Sequence, residues 1–291
     1  MKVIYYYQTF VGLEKVLENI EDVDVIIVSS IHFGQKDKQP YIHLNDNDPK
    51  DPMFENLWME TKKASVQGCK IMLMMGGAGK PEHFTKVQKR NPELRYNKFN
   101  LGELKEKYGC TIVGPLADHD RIAGIDIDVK DGDIYKFGDL EAKVFDTPGH
   151  TRGHIAYWFK QNSSLFCGDT LFALGCGRVF EGTFAQMWDS LGKLRELPDN
   201  TVVYCAHEYT QSNAKFAITI EKDNAALLER ATEIDLLRAE NKRTVPSLLG
   251  VEKATNPFLR ADIPSVAEAL GLSSEDPVQV FSEIRKRKDN F

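Results

Sequence analysis

Cysteine is scarce and scattered: the five residues (Cys69, Cys110, Cys167, Cys176, Cys205) are odd in number and include no Cys-x-x-Cys pair. That argues against a disulfide framework and against a cysteine-rich zinc site. Long apolar runs are missing too. The longest, around 25–28 and 71–75, are far too short to cross a bilayer, so no membrane partner is expected. Three tyrosines follow Val3-Ile4 where a secretory signal would carry an apolar stretch, so no such signal is read. Excess positive charge is absent: the formal net charge is −6, which argues against a broad basic face and hence against nucleic acid as a partner. No fixed-period repeat and no low-complexity run occurs. With 42% hydrophobic and 27% charged residues the chain lies in the globular range, not the disordered one. The expectation is a soluble protein of a reducing compartment, the cytoplasm.

The first hundred residues read as alternating strands and helices. Strands are expected at 3–7, 23–30 and 70–75, helices at 13–20 and 54–67, and a loop rich in Asn, Asp and Pro at 35–52. Nearly continuous apolar strands separated by helices predict a parallel sheet covered on both faces. Between 80 and 100 the character shifts to Lys, Arg, Asn and Pro, which marks a junction. A short helix at 101–108 and a strand at 111–114 follow. Hairpin-like strands are then expected at 134–137, 141–146, 154–159 and 164–167, punctuated by Asp131-Gly132 and Gly138-Asp139. A helix at 184–196, a strand at 201–205 and a mainly helical remainder complete the reading.

Three segments carry chemistry: Thr147-Pro148-Gly149-His150-Thr151-Arg152-Gly153-His154, Cys167-Gly168-Asp169-Thr170, and Cys205-Ala206-His207-Glu208-Tyr209. Each puts an imidazole or carboxylate just after an expected strand, and side chains at strand ends can converge at one sheet edge. Imidazole and carboxylate suit zinc and similar divalent ions, and an aspartate can bridge two of them. With Leu174-Gly175-Cys176-Gly177-Arg178, Thr255-Asn256-Pro257-Phe258-Leu259-Arg260 and the terminal 285–291 run, these segments resemble the hydroxyacylglutathione hydrolases of the metallo-β-lactamase superfamily. The resemblance runs from about 101 to 291. It implies an α/β fold: a partial metallo-β-lactamase sandwich over 101–207 and a helical substrate-binding cap over 208–291. It also implies that His150, Asp169 and His207 are metal ligands, with Asp169 the bridging and catalytic carboxylate, at a binuclear centre of zinc, iron or manganese. Arg178, Tyr209, Asn213, Arg285 and Lys288 match the glutathione-binding set, and Phe180 stands where a tyrosine often helps. The implied activity is hydrolysis of a glutathione thioester, S-2-hydroxyacylglutathione, to glutathione and a 2-hydroxy acid.

The family's main metal motif, His-x-His-x-Asp-His, is absent from the chain. Three ligands remain for two ions, so the centre is expected to be incomplete. His32 and His43 have no second ligand beside them in sequence, His83 stands alone in the junction, and His119 reads as a solvated loop residue. His154 reads as a hydrogen-bonding partner of the ligand loop, not as a ligand. Residues 1–80 resemble something else, the opening β/α units of a glycoside hydrolase family 18 barrel, through Val3-Ile4-Tyr5-Tyr6-Tyr7 and the strand ending Gly76-Gly77. The catalytic strand of that family reads Asp-Gly-x-Asp-x-Asp-x-Glu. Here the nearest segment, 123–130, has Ala123 for the first aspartate and Lys130 for the acid, and reads as a strand before a turn. Three functions therefore stand side by side: a metal-dependent thioesterase with an impaired centre, a non-catalytic protein retaining glutathione or partner binding, and a carbohydrate-binding remnant. The first hundred residues are expected to substitute for, or pack beside, the missing half of the sandwich.

Overall fold

The computed structural model describes residues 3–7, 23–36, 39–44, 59, 70–75, 111–122, 124–240 and 242–291. The chain divides into two compact units, Met1–Asn100 and Leu101–Phe291. In the first, β2 (Val23–Lys36) pairs in parallel with β1 (Val3–Tyr7) and β4 (Lys70–Met75) along its apolar first half. Its second half pairs antiparallel with β3 (Gln39–Leu44). The expected parallel strands are present. β3 corrects the expected loop at 35–52: the turn-forming Asn, Asp and Pro residues cluster after Leu44, whereas Tyr41-Ile42 favours a strand. The hairpin register sets His32 opposite His43. Parallel neighbours of this kind occur throughout α/β folds and do not single out a barrel. Apart from Met59, the helices expected at 13–20, 54–67 and 101–108 lie outside the described residues, as do the junction at 80–100 and His83.

The second unit is built on one six-stranded sheet in the order β14-β13-β10-β9-β8-β7. Strands β7 (Ile134–Phe137), β8 (Leu140–Asp146), β9 (Ile155–Phe159) and β10 (Ser164–Gly168) form an antiparallel meander. β13 (Val202–Cys205) adds parallel to β10, and β14 (Ser247–Leu248) antiparallel to β13. Two small parallel or antiparallel pairs accompany it: β5 (Val113–Pro115) with β6 (Ile127–Val129), and β11 (Leu171–Phe172) with β12 (Gly175–Cys176). The sandwich expected over 101–207 is therefore represented among the described residues of this unit by one large sheet. In the segment that resembled a glycosidase strand, Asp126 accepts from the Ile112 N–H at 2.9 Å and Asp128 faces His119 at 2.7 Å, which are local structural contacts.

One sheet face carries Phe145, Ala156, Leu165, Cys167, Val203 and Cys205. Against it pack α1 (Phe184–Arg195) through Met187, Leu191 and Leu194, α2 (Thr210–Ile220) through Phe216 and Ile220, and α6 (Pro277–Asp289) through Val280, Phe281 and Ile284. Burying each of these large side chains removes apolar area worth about 1.5–3 kcal/mol. α3 (Ala225–Ala239) packs Leu227, Ala231 and Ile234 on Ala214 and Ala217 of α2. α4 (Leu249–Thr255) and α5 (Pro264–Leu270) complete the helical region. The expected boundary between 207 and 208 falls inside this unit, and the hydrophobic core runs across it. Local signals set the helix ends: Thr183 and Gln186 form a capping box at α1, and Asp276 caps α6 with Pro277 in its first turn.

Candidate metal centre

Because β9 is antiparallel to both β8 and β10, and β13 is parallel to β10, strands β8, β10 and β13 all run the same way. Their C-terminal ends share one sheet edge. His150 lies four residues beyond β8, Asp169 directly follows β10, and His207 lies two residues beyond β13. The three converge: His150 Nε2 is 3.7 Å from Asp169 Oδ2, and His207 Nε2 is 3.1 Å from Asp169 Oδ1. Asp169 is 1% exposed and His150 6%. Gly168 turns the chain into Asp169 at a φ of 51°, where a Cβ would also come within 2.7 Å of His154 Nε2. The loop 147–154 rests on α1, whose Ser190 hydroxyl donates to the Pro148 carbonyl at 2.7 Å.

Hydrogen bonds fix His150 and the Asp169 backbone. The His150 Nδ1–H donates to the Arg178 carbonyl at 2.8 Å, which directs the Nε2 lone pair toward Asp169. The Asp169 N–H donates to His154 Nε2 at 3.0 Å, so the hydrogen of a neutral His154 sits on Nδ1, shared between the Thr147 and Thr170 hydroxyls at 2.9 and 3.0 Å. Burial pushes His154 down to about 4, outweighing the Asp169 charge, and keeps it neutral. With both ring nitrogens spent, His154 is a bracket for Asp169 and not a ligand. Burial by itself would raise the Asp169 carboxyl. The hydrogen bond and charge of a protonated His207 overcome it and hold Asp169 well below the usual carboxylate range.

The donor chemistry fits divalent metal. Two ligands sharing a tetrahedral ion at zinc-like bond lengths stand about 3.4 Å apart, close to both observed separations. Each carboxylate oxygen of Asp169 faces a different histidine, as a bridge between two ions requires. His150 Nε2 and Asp169 Oδ2 are also buried without a hydrogen-bond partner, which native structures rarely leave unexplained. The donor number falls short. Among the described residues no group of three or more His, Cys, Asp or Glu side chains is arranged to hold one ion, and each half of the pair has one nitrogen and one oxygen.

The residues matched to glutathione binding divide into two kinds. Tyr209 is 50% exposed and stacks on the His207 ring at 4.7 Å. Lys288 is half-buried, donates to the Ser212 carbonyl at 3.2 Å, and is pushed down to about 8 by burial and by the nearby charges of Arg285 and Arg178. Arg178 is half-exposed beside Asp289 at 3.4 Å. Asn213 and Arg285, by contrast, are buried. The Asn213 amide donates to the Ala173 carbonyl at 3.0 Å, and Arg285 donates to the Cys176 carbonyl at 2.9 Å and to Asp289. Phe180 lies 5.0 Å from the His150 ring. Sequence reasoning missed Phe172, which meets both His207 and Tyr209 edge-on at 5.8 and 5.5 Å. It also missed the Arg178 carbonyl, because a backbone acceptor leaves no residue-type signal.

Residues 78–207 match the metallo-beta-lactamase superfamily, which fixes the class as an α/β metallo-β-lactamase-type fold, here with a helical C-terminal region. Residues 208–291 match the family described as hydroxyacylglutathione hydrolase C-terminus. A hydroxyacylglutathione hydrolase of Methylococcus capsulatus is 57% identical over 65% of this chain and 74% of its own length. One of Rhodospirillum rubrum is 56% identical over the same shares. The chain belongs to the hydroxyacylglutathione hydrolase family. A chitinase of Aspergillus fumigatus aligns at 29% identity over 30% of this chain and 37% of its own, with a TM-score of 0.24, too low to speak for a shared fold.

Proposed function

We propose that this chain acts on S-2-hydroxyacylglutathione thioesters, releasing glutathione and a 2-hydroxy acid, at a binuclear zinc, iron or manganese centre of which it carries an incomplete ligand set. The observation that carries this reading is the convergence of His150 and His207 on opposite oxygens of one buried carboxylate. His150 and Asp169 Oδ2 would hold one ion, His207 and Asp169 Oδ1 the other. The chemistry such a centre supplies is a lowered water pKa and polarisation of the thioester carbonyl. The chain's own residues hold the parts: His154 fixes the Asp169 backbone, the Arg178 carbonyl fixes the His150 tautomer, and Tyr209 covers His207. Arg178 and Lys288 supply positive charge for the carboxylates of the tripeptide. A leaving thiolate, whose acid has a pKa of about 8.5, departs without a general acid. The test is to follow thiol release from S-lactoylglutathione by the full chain with added zinc, iron(II) or manganese. Slow, metal-stimulated release that disappears in His207→Ala is expected. Absence of release with every metal, together with absence of glutathione binding, would overturn the proposal.

A pH dependence of binding follows from Lys288. Its ammonium titrates near 8, below the usual lysine range, so its charge is present below that pH and lost above it. The affinity for S-methylglutathione is expected to fall as pH rises through about 8, and the difference between wild type and Lys288→Met to vanish above it. Equilibrium binding across pH 6.5–9.5 reads this out; a pH-independent difference would remove Lys288 from the substrate site.

A further inference from the structure

We propose that Glu181 is a positioning residue for the ligand His150, clamping the loop that carries it, with Arg121 locking Glu181 in place; the inference rests on the proposed metal centre for its functional meaning. The segment 178–182 meets the His150 loop at four points. The His150 Nδ1–H donates to the Arg178 carbonyl at 2.8 Å, the Gly182 N–H donates to the Gly149 carbonyl at 3.1 Å, and the Phe180 ring lies 5.0 Å from the imidazole. The fourth contact is the only one of these to which the 178–182 segment contributes a polar side chain: the Arg152 N–H donates to Glu181 Oε2 at 2.8 Å. Glu181 is itself gripped by Arg121, whose two terminal nitrogens donate to Oε1 and Oε2 at 2.8 and 3.0 Å. This two-pronged geometry fixes the carboxylate plane as well as its position.

The clamp closes on itself. Arg121 Nε and Arg152 Nε both donate to Asp118 Oδ1, at 3.0 and 3.2 Å, and Asp118 is 5% exposed. A Cβ on Gly153 would run into that carboxylate, so the chain just after Arg152 is seated against it. Asp118, Arg121, Glu181 and Arg152 thus form a ring of alternating charge that ends on the backbone two residues from His150. Ligand orientation at metal centres depends on such outer contacts, whose loss typically lowers metal affinity about 10–100-fold. Stability depends on this ring much less, because Glu181 and Arg121 are more than a third exposed and exposed ion pairs contribute little to folding.

The experiment compares wild type, Glu181→Ala, Glu181→Gln and, as a control, Glu141→Ala, whose carboxylate pairs with exposed Lys136 at 3.4 Å away from the site. Two readouts are taken on the full chain: amide hydrogen exchange of Arg152 without metal, by NMR, and cobalt(II) affinity by chelator competition. Glu181→Ala is expected to speed Arg152 exchange at least about tenfold and to weaken cobalt(II) binding about 10–100-fold, with Tm moved by no more than about 2 °C. Glu181→Gln, which keeps an acceptor for the Arg152 N–H, is expected to restore most of the protection. The control is expected to change neither readout. Unchanged exchange in Glu181→Ala, or loss of both readouts only in step with a large fall in Tm, would overturn the proposal. If wild type binds no cobalt(II), the metal-centre reading fails, and the clamp is decided by the exchange rates alone.

Discussion

Asp169→Ala is expected to abolish measurable metal retention, with a larger loss than either His150→Ala or His207→Ala. The carboxylate contributes one oxygen facing each histidine, so its removal takes a ligand from both half-sites, whereas each histidine serves one. Sharing the roughly 10–16 kcal/mol of a four-ligand zinc site among its ligands gives about 3 kcal/mol each, more than about a hundredfold in affinity. Asp169 also supplies the negative charge that offsets repulsion between two cations. Equilibrium dialysis against a fixed zinc concentration, followed by elemental analysis, makes the comparison. Metal content unchanged in Asp169→Ala would contradict the bridging role.

Glu252→Ala is expected to destabilise the Leu101–Phe291 unit by about 3–5 kcal/mol, the cost typical of removing one partner from a buried ion pair. Glu252 is fully buried, and its side chain faces Arg230, itself 9% exposed. Its second oxygen accepts from the Leu174 N–H at 2.8 Å and from the Asn256 amide at 3.1 Å. Leu174 sits at a φ of 57°, a left-handed conformation that costs a non-glycine residue free energy. Asn256 donates further to the Phe172 and Gly175 carbonyls at 3.1 and 3.0 Å. The helical region thereby nails down the β11–β12 turn, beside which Phe172 meets His207. Glu252→Ala leaves the buried Arg230 cation without its carboxylate, with only the Thr255 hydroxyl still accepting from it at 2.6 Å, and leaves the buried Leu174 N–H without an acceptor. Urea unfolding measures the change; a loss below about 1 kcal/mol would show that the network is replaceable.

How much of this was legible in the sequence follows the range of the physical signal. Strand alternation, turn pairs and helix spacing are local, and they located β7–β10, β13, α1 and the helical C-terminus to within a few residues. The convergence of His150, Asp169 and His207 was legible because each follows a strand end, and the parallel run of β8, β10 and β13 brings those ends together. β3 was missed because Asn, Asp and Pro beyond Leu44 outweighed a short strand-forming stretch. Burial by distant partners was beyond reach. Nothing near Arg285 in sequence indicates that the Cys176 carbonyl, more than a hundred positions away, takes its guanidinium. Nothing around Asn213 announces the Ala173 carbonyl. His154 was legible as a partner and not a ligand, although the two threonines that complete its bonding came from the fold.

The proposed glutathione-thioester site with an incomplete metal shell rests on the convergence of His150, Asp169 and His207 and on the absence of the His-x-His-x-Asp-His motif from the chain. If Arg178, Tyr209 and Lys288 make the proposed ground-state contacts to the tripeptide while turnover depends on the centre, binding is expected to outlast catalysis. The most direct measurement counts zinc, iron and manganese per purified chain while following S-lactoylglutathione hydrolysis with and without added metal. At most one loosely held ion, slow metal-stimulated turnover and retained glutathione binding are predicted. Two tightly held ions per chain with vigorous turnover would contradict an incomplete centre and would mean that other side chains had rebuilt the site.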